Sequence, residues 1–288
     1  MFHVGVDLGG SKISAVLCDR KMKAVRRHRS LFAERTRESI SSALMDAISQ
    51  VASAVGTRKI SSIGIGIPGS FERGRISMLP NLPCMNGFEI SRAVEKRFGT
   101  LPAIEKDSNC FALWEAFSRK KKSLVGITLG TGLGGGIIVG GGIFHGAGSA
   151  GEFGHIVIEH NGRKCRCGSR GCLEQYASSQ GIEHDSRAIY CESISAESIA
   201  GMARKGDRTA LGIFENFGYY LGAGLASINY SLNPETIAIG GGLANAHDLF
   251  MKRAIEEMRR RTWIRMPKIY ISRNDASLGA ALAGMKRG

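Results

Sequence analysis

The chain of 288 residues is short of several things, and each shortage excludes a class of protein. Proline is scarce, at 6 residues against 39 glycines, and the glycines follow no three-residue period, so a collagen-type chain is excluded. No basic and then apolar leader opens the sequence. Met1 to Gly10 runs straight into a strand-and-glycine pattern, so no secretory signal is expected. A membrane-length apolar run is also missing. Residues 124–144 carry no charge, but nine of these 21 positions are glycine and the stretch breaks into two β-like pieces. The seven cysteines lack the even spacing of a disulfide framework. Cys18, Cys84, Cys110 and Cys191 are scattered, while Cys165, Cys167 and Cys172 cluster, which predicts a reducing, cytoplasmic setting and one metal site. Acidic residues are in deficit, 25 against 39 basic, and the net charge of +14 attracts anions without saying which.

What is present is an ordinary globular composition, 43% hydrophobic and 22% charged. At about 150 residues per domain the length predicts two domains. Ile, Val and Leu are plentiful and patterned, which argues against disorder. The chain also begins twice. Val4-Gly5-Val6-Asp7-Leu8-Gly9 aligns with Val125-Gly126-Ile127-Thr128-Leu129-Gly130, and each is followed by glycines and an apolar return strand. Such a repeat predicts duplicated domains; two similar Gly-rich hairpins are the plainer alternative. Between the repeats, Ile40, Leu44, Ile48, Val51 and Val55 share a helical face, and Ile63, Ile65 and Ile67 alternate with glycine as a strand does. Leu101–Glu105 reads as a strand and Ser108–Ser118 as a helix. Later come a helix at Leu211–Leu232, a strand at Thr236–Ile239, a helix at Ala244–Arg261, a strand at Lys268–Ser272 and a helix at Ala276–Lys286. Strands and helices alternate in both halves, so the class is α/β, with a ligand cleft expected between domains.

Four groups of residues carry chemistry. In Asp7-Leu8-Gly9-Gly10-Ser11-Lys12 adjacent glycines let backbone N–H groups approach an anion, the carboxylate can hold a divalent cation and Lys12 can meet a phosphate. The spacing is not that of a Walker A loop, and a plain hairpin turn is the alternative. Gly130-Thr131-Gly132-Leu133-Gly134-Gly135-Gly136 holds five glycines in seven residues, which predicts close approach of a ligand to backbone. Gly240-Gly241-Gly242 lies between a strand and a helix, a place for a nucleotide or simply a tight turn. Cys165, Cys167 and Cys172, with His155 ten residues upstream, supply the three sulfurs and one nitrogen of a closed structural zinc site; buried or redox-active thiols are the alternative. Asp107 follows a strand and opens a helix, as either a functional carboxylate or an N-cap.

Together these pieces resemble the ROK family (repressor, open reading frame, kinase) of bacterial sugar kinases, over nearly the whole chain. The most specific part is Glu152-Phe153-Gly154-His155 with Cys165-x-Cys167-Gly168-x-x-Gly171-Cys172-x-Glu174. The resemblance implies an actin/hexokinase-like fold of two RNase H-like domains around a cleft. Residues 1–118, completed by the helix at 276–288, would form one domain; residues 123–275, with a zinc loop at 155–174, would form the other. It further implies an ATP-dependent hexose kinase acting on the 6-hydroxyl of glucose or a relative such as N-acetylglucosamine. Asp107 would be the base. Asp7, Gly9, Gly10, Ser11 and Lys12 would hold phosphate and help place Mg²⁺. Gly130, Thr131, Gly132, Gly134, Gly135 and Gly136 would form the second phosphate loop, and Gly240, Gly241 and Gly242 the adenosine wall. Asn81, Asn109, Glu152, His155 and Glu174 would contact the sugar, with His155 also binding Zn²⁺. Family analogy implies a homodimer, and no nucleic-acid or membrane partner is expected. The basic runs at 26–29, 119–122 and 259–261 read as solvated faces, because no DNA-reading module accompanies them. A sugar-responsive repressor would carry an additional N-terminal helix-turn-helix, for which no room is expected ahead of residue 7. A sugar sensor without turnover is the remaining alternative. Three residues depart from the family pattern: Lys106 where Asn is usual, Ser11 for the commoner Thr, and Cys84-Met85 where Gly-Trp is frequent.

Overall fold

The computed structural model describes residues 1–287 and comprises two compact units, Met1–Lys120 with Asn274–Gly288, and Lys121–Arg273.

The first unit is built on β1 (Phe2–Leu8), β2 (Lys12–Cys18), β3 (Ala24–Leu31) and β4 (Ile60–Ile67), then a small hairpin of β5 (Ser70–Glu72) and β6 (Arg75–Met78), then β7 (Ala103–Lys106). The main sheet runs β3-β2-β1-β4-β7, with β1, β2 and β3 antiparallel and β4 and β7 parallel to β1. Its helices are α1 (Arg37–Ala52), α2 (Ile90–Phe98) and α3 (Asp107–Ser118), with the chain's last helix at Ser277–Arg287. Period-two alternation sends Val4, Val6, Leu8, Ile63, Ile65 and Ile67 to one core, shared with Ile40, Leu44, Ile48 and Val51 of α1. Each such side chain contributes roughly 1.5–3 kcal/mol on burial. Thr36 caps α1 by accepting the Ser39 N–H.

The opposite face of this sheet is flattened by glycine. Gly5 and Gly64 are ladder partners. A Cβ at Gly5 would overlap the Ser277 carbonyl, and one at Gly64 the Ala280 carbonyl. The last helix therefore rests on bare backbone. Gly279 of that helix likewise leaves no space for a Cβ against the Cys110 carbonyl of α3.

The second unit repeats the plan. Its strands are β8 (Leu124–Leu129), β9 (Leu133–Val139), β10 (Gly142–Ile143), β11 (Thr236–Gly240) and β12 (Lys268–Ile271). The order β10-β9-β8-β11-β12, antiparallel at β8–β9–β10 and parallel at β8–β11–β12, matches the first sheet strand for strand. The alignment of Val4–Gly9 with Val125–Gly130 thus marks the first strand of each copy. Its helices are α4 (Ser179–Tyr190), α5 (Ala196–Arg204), α6 (Arg208–Leu232) and α7 (His247–Arg261). Gly218 and Gly222 let α6 pack on α7, since Cβ atoms there would lie 2.7 Å from the Phe250 carbonyl and 2.5 Å from that of Ala254. Among the described residues no helix is long and apolar enough to cross a membrane.

Several expected boundaries shift. Asn274 and Asp275 belong to the first unit: Asn274 Nδ2 donates to Glu115 Oε1 at 2.8 Å, and Asp275 Oδ1 accepts the Ser277 N–H at 3.1 Å. Val55 lies beyond α1, which ends at Ala52. The strand expected at Leu101–Glu105 is Ala103–Lys106, because Pro102 lacks an N–H for the ladder. The helix expected from Ala244 begins as a 3₁₀ turn at Gly242–Ala246, and α7 proper opens at His247. α6 starts three residues earlier than its apolar pattern, where Asp207 accepts the Ala210 N–H at 2.9 Å.

Candidate active site

In the first unit the chemistry gathers at the β1–β2 turn. Gly9 N–H donates to the Lys12 carbonyl at 2.9 Å and closes the turn. The N–H groups of Gly10 and Ser11, between them, have no partner among the described residues. Consecutive donors of this kind are what an anion can use. Gly10 also brings Asn81 alongside: a Cβ on it would lie 3.3 Å from that of Asn81.

Asp7 ends β1 and pairs with Gly66 of β4. Gly66 lies under the start of α3, where a Cβ would be 3.5 Å from Asp107 Cα. Asp107 is the first helical residue and Lys106 occupies the N-cap position, without a side-chain capping bond. The cap expected at Asp107 is therefore displaced by one residue, although Asp107 Oδ1 still accepts the Ser108 N–H at 2.6 Å. Burial, followed by the charges of Asp107 and Asp275, pushes the Asp7 carboxyl up to about 8; Lys12 and a hydrogen bond from the Ala276 N–H pull the other way. Next to Asp107, Ser108 Oγ and Asn109 Oδ1 are fully buried without a partner. Asn109 spends its amide on Glu105 Oε1, at 2.9 Å. Two orphaned acceptors beside a carboxylate mark a place for a ligand's hydroxyls or for water.

The second unit has an equivalent turn. Gly130 N–H donates to the Gly132 carbonyl at 3.0 Å, and the N–H groups of Thr131 and Gly132 have no partner among the described residues. The loop expected over Gly130–Gly136 is shorter than that. Gly134, Gly135 and Gly136 are not in the turn but in β9, paired with Thr128, Ile127 and Gly126. At Gly135 the reason for glycine is packing, because a Cβ would overlap Phe153 and the Gly151 carbonyl. At the end of β11, Gly241 has φ +89 and sits against the Leu129 carbonyl, just ahead of Gly130, while Gly242 faces open space.

His155, Cys165, Cys167 and Cys172 bring their ligand atoms within 4.8 Å of one another. His155 Nδ1 is 3.7 Å from Cys165 Sγ, and the Sγ atoms of Cys167 and Cys172 are 3.6 Å apart. Tetrahedral zinc with Zn–S near 2.3 Å and Zn–N near 2.0 Å requires ligand separations of about 3.5–3.8 Å, so the residues fit that metal. The other imidazole nitrogen, Nε2, is 4.0 Å from Glu152 Oε2. The cluster lies beside the glycine turn, because Glu174, two residues past Cys172, accepts the Leu133 N–H on Oε2 at 2.9 Å. The sequence assigned Glu174 to sugar; this second engagement has no sequence signal, nor do the buried Ser108 or Glu105. Asp275 could have been read from Asp275-Ala276-Ser277, a cap pattern ahead of the last helix.

The ROK family pattern matches residues 3–285. The chain belongs to the ROK family. This ROK chain is 33% identical over 267 residues to a glucokinase of Thermotoga maritima, covering 85% of the chain and 83% of that relative. It is 31% identical over 264 residues to an N-acetyl-D-glucosamine kinase of Pectobacterium atrosepticum, with 86% of each covered. The ROK hexokinase of Thermus thermophilus superposes with a TM-score of 0.89 at 30% identity over 100% of both chains. The fold is the actin/hexokinase-like fold of these sugar kinases.

Proposed function

We propose that this ROK chain transfers the terminal phosphoryl group of ATP to the 6-hydroxyl of a glucose-type hexose, either glucose itself or N-acetylglucosamine. The observation that carries this reading is Asp107 at the start of α3, over the ladder partner of Asp7, with the orphaned Ser108 Oγ and Asn109 Oδ1 beside it.

In this reading the Asp107 carboxylate takes the hydroxyl proton as the sugar oxygen forms its bond to phosphorus and the bond from phosphorus to ADP breaks. A positioned base typically contributes 10²–10⁴-fold. In the first unit the N–H groups of Gly10 and Ser11, with the Lys12 ammonium, would take up phosphate charge; in the second unit those of Thr131 and Gly132 would do the same. Asp7 is the residue that would hold magnesium, and the crowding of its carboxyl by Asp107 and Asp275 is relieved by a cation. When bound, Mg²⁺ would neutralise phosphate charge. Gly240–Gly242 would face the adenosine. Asn81, Asn109, Glu152, His155 and Glu174 would orient the sugar. Zinc on His155, Cys165, Cys167 and Cys172 would fix the His155 ring, leaving Nε2 and Glu152 toward substrate.

The test is ADP release over a panel of hexoses, run beside Asp107→Asn. Sugar-dependent turnover that falls about 10²-fold or more in the variant supports the kinase. Tight sugar binding with no turnover in the native chain would instead make it a sensor.

A further inference from the structure

The three clustered cysteines differ in their surroundings. Cys165 and Cys172 are buried and Cys167 is exposed. Among the described residues, one side chain from outside the four ligands reaches a sulfur: Gln175 Nε2 lies 3.6 Å from Cys165 Sγ. Sulfur is larger than oxygen, so this is hydrogen-bond distance for an N–H donor. Gln175 ends the 3₁₀ turn Leu173–Gln175, which follows Cys172 directly. Its neighbour Glu174 accepts the Leu133 N–H. The strip from Cys172 to Gln175 therefore supplies a metal ligand, a contact to the glycine turn and a contact to sulfur.

The backbone that carries this amide is anchored. The Gln175 carbonyl accepts Arg163 Nη1 at 2.8 Å. Arg163 Nη2 pairs with Asp185 of α4, whose other oxygen accepts Asn216 Nδ2 of α6 at 3.2 Å. The same guanidinium lies over the Tyr176 ring, 4.4 Å from its centre. Gln175 is thus tied through one arginine to two helices of the second unit.

The metal decides which end of the amide faces the sulfur. A zinc-bound cysteine is a thiolate, with lone pairs and no proton to give. The amide oxygen would set lone pairs against lone pairs, whereas the NH₂ end donates. Three thiolates and a neutral imidazole leave the zinc complex with a net negative charge. At buried Cys165 that charge is costly, and a donor aimed at the sulfur lowers the cost. At exposed Cys167 water serves the same need. Simple packing is the plainer reading of Gln175. Packing asks only for a side chain of this shape; donation asks for an N–H.

We infer, on the zinc reading of the cluster, that Gln175 is a positioning residue of the metal site, its amide donating to the Cys165 thiolate and keeping that ligand on the metal. Partners of this kind are worth about 10–100-fold in metal affinity.

The experiment loads the full chain with Co²⁺ in place of Zn²⁺. It reads the sulfur-to-cobalt charge-transfer band and the rate of metal transfer to excess chelator. A hydrogen bond lowers the energy of sulfur lone pairs, so its loss moves the band to longer wavelength. Gln175→Glu keeps the shape and gives up the donor; Gln175→Leu gives it up without adding charge. Both should shift the band to longer wavelength and speed metal transfer about ten-fold or more. Gln175→Lys keeps an N–H donor and should return both readings toward native. Thermal melts of the loaded variants report folding. If the native chain takes up cobalt and the band stays put in the Glu and Leu variants, the inference is overturned alone, even where transfer is faster, since that is loosened packing. A native chain that holds neither cobalt nor zinc overturns the zinc reading together with it.

Discussion

Glu174 Oε2 and the Leu133 N–H are 2.9 Å apart, so the segment that follows Cys172 holds the mouth of the Gly130–Gly132 turn. Gly132 is glycine partly for this reason, since a Cβ there would overlap the Glu174 carboxylate. A hydrogen bond to a charged acceptor is worth about 1.5–3 kcal/mol. Glu174→Ala should therefore raise the KM for ATP about ten-fold or more. Glu174→Gln keeps an acceptor and should restore much of it. If both variants shift only the KM for hexose, the turn does not depend on this bond.

Asp7 gives the pH dependence its sign. Its carboxyl is raised from 3.8 to about 8, by burial first and then by Asp107 and Asp275. A raised acid stabilises the fold fully below the unfolded value and loses that contribution as pH climbs through the folded one. Without divalent ions, chemical denaturation should show stability declining between about pH 4 and 8. Asp7→Asn should flatten the decline, and added Mg²⁺ should oppose it at the alkaline end. A slope unaffected by Asp7→Asn would assign the effect to other groups.

The cysteine cluster predicts a stoichiometry. Elemental analysis of freshly purified protein should give about one zinc per chain. Cys167→Ser should release it and weaken hexose binding, because His155 and Glu152 lie on the same segment. Metal-free protein that binds hexose at full strength would remove zinc from the account.

Local packing predicts opposite outcomes for two helical glycines, one on the last helix and one on α6. Gly279→Ala pushes a methyl into the Cys110 carbonyl and should cost about 1–3 kcal/mol in unfolding experiments. Gly212, on α6, meets nothing within 4 Å, and Gly212→Ala should stabilise by about 0.5–1 kcal/mol. Equal effects at the two sites would contradict the close contact.

What the sequence revealed follows from periodicity and local spacing. Ile40 to Val51 announced α1, the paired hairpins announced two like sheets, and Cys165-x-Cys167 with Cys172 announced a four-ligand cluster. What it hid depends on partners far along the chain. β3 has no strand signature in the sequence, because Arg26, Arg27 and Arg29 look like a charge run and an edge strand needs few apolar residues. The glycines at 134–136 suggest close approach of a ligand, yet Gly135 is glycine because Phe153 and Gly151 press on it, eighteen and sixteen residues later. Nothing local in the sequence ties Asp275 to Asp7.

The position of Ser277–Arg287 sets an order of assembly. The second unit is one continuous stretch, Lys121–Arg273, and has all its parts before the Ser277–Arg287 helix is made. The first unit must wait, with the backbone of Gly5 and Gly64 uncovered, until Ser277–Arg287 has been made. A chain truncated after residue 273 and released should carry a protease-resistant C-terminal half and a digestible N-terminal one.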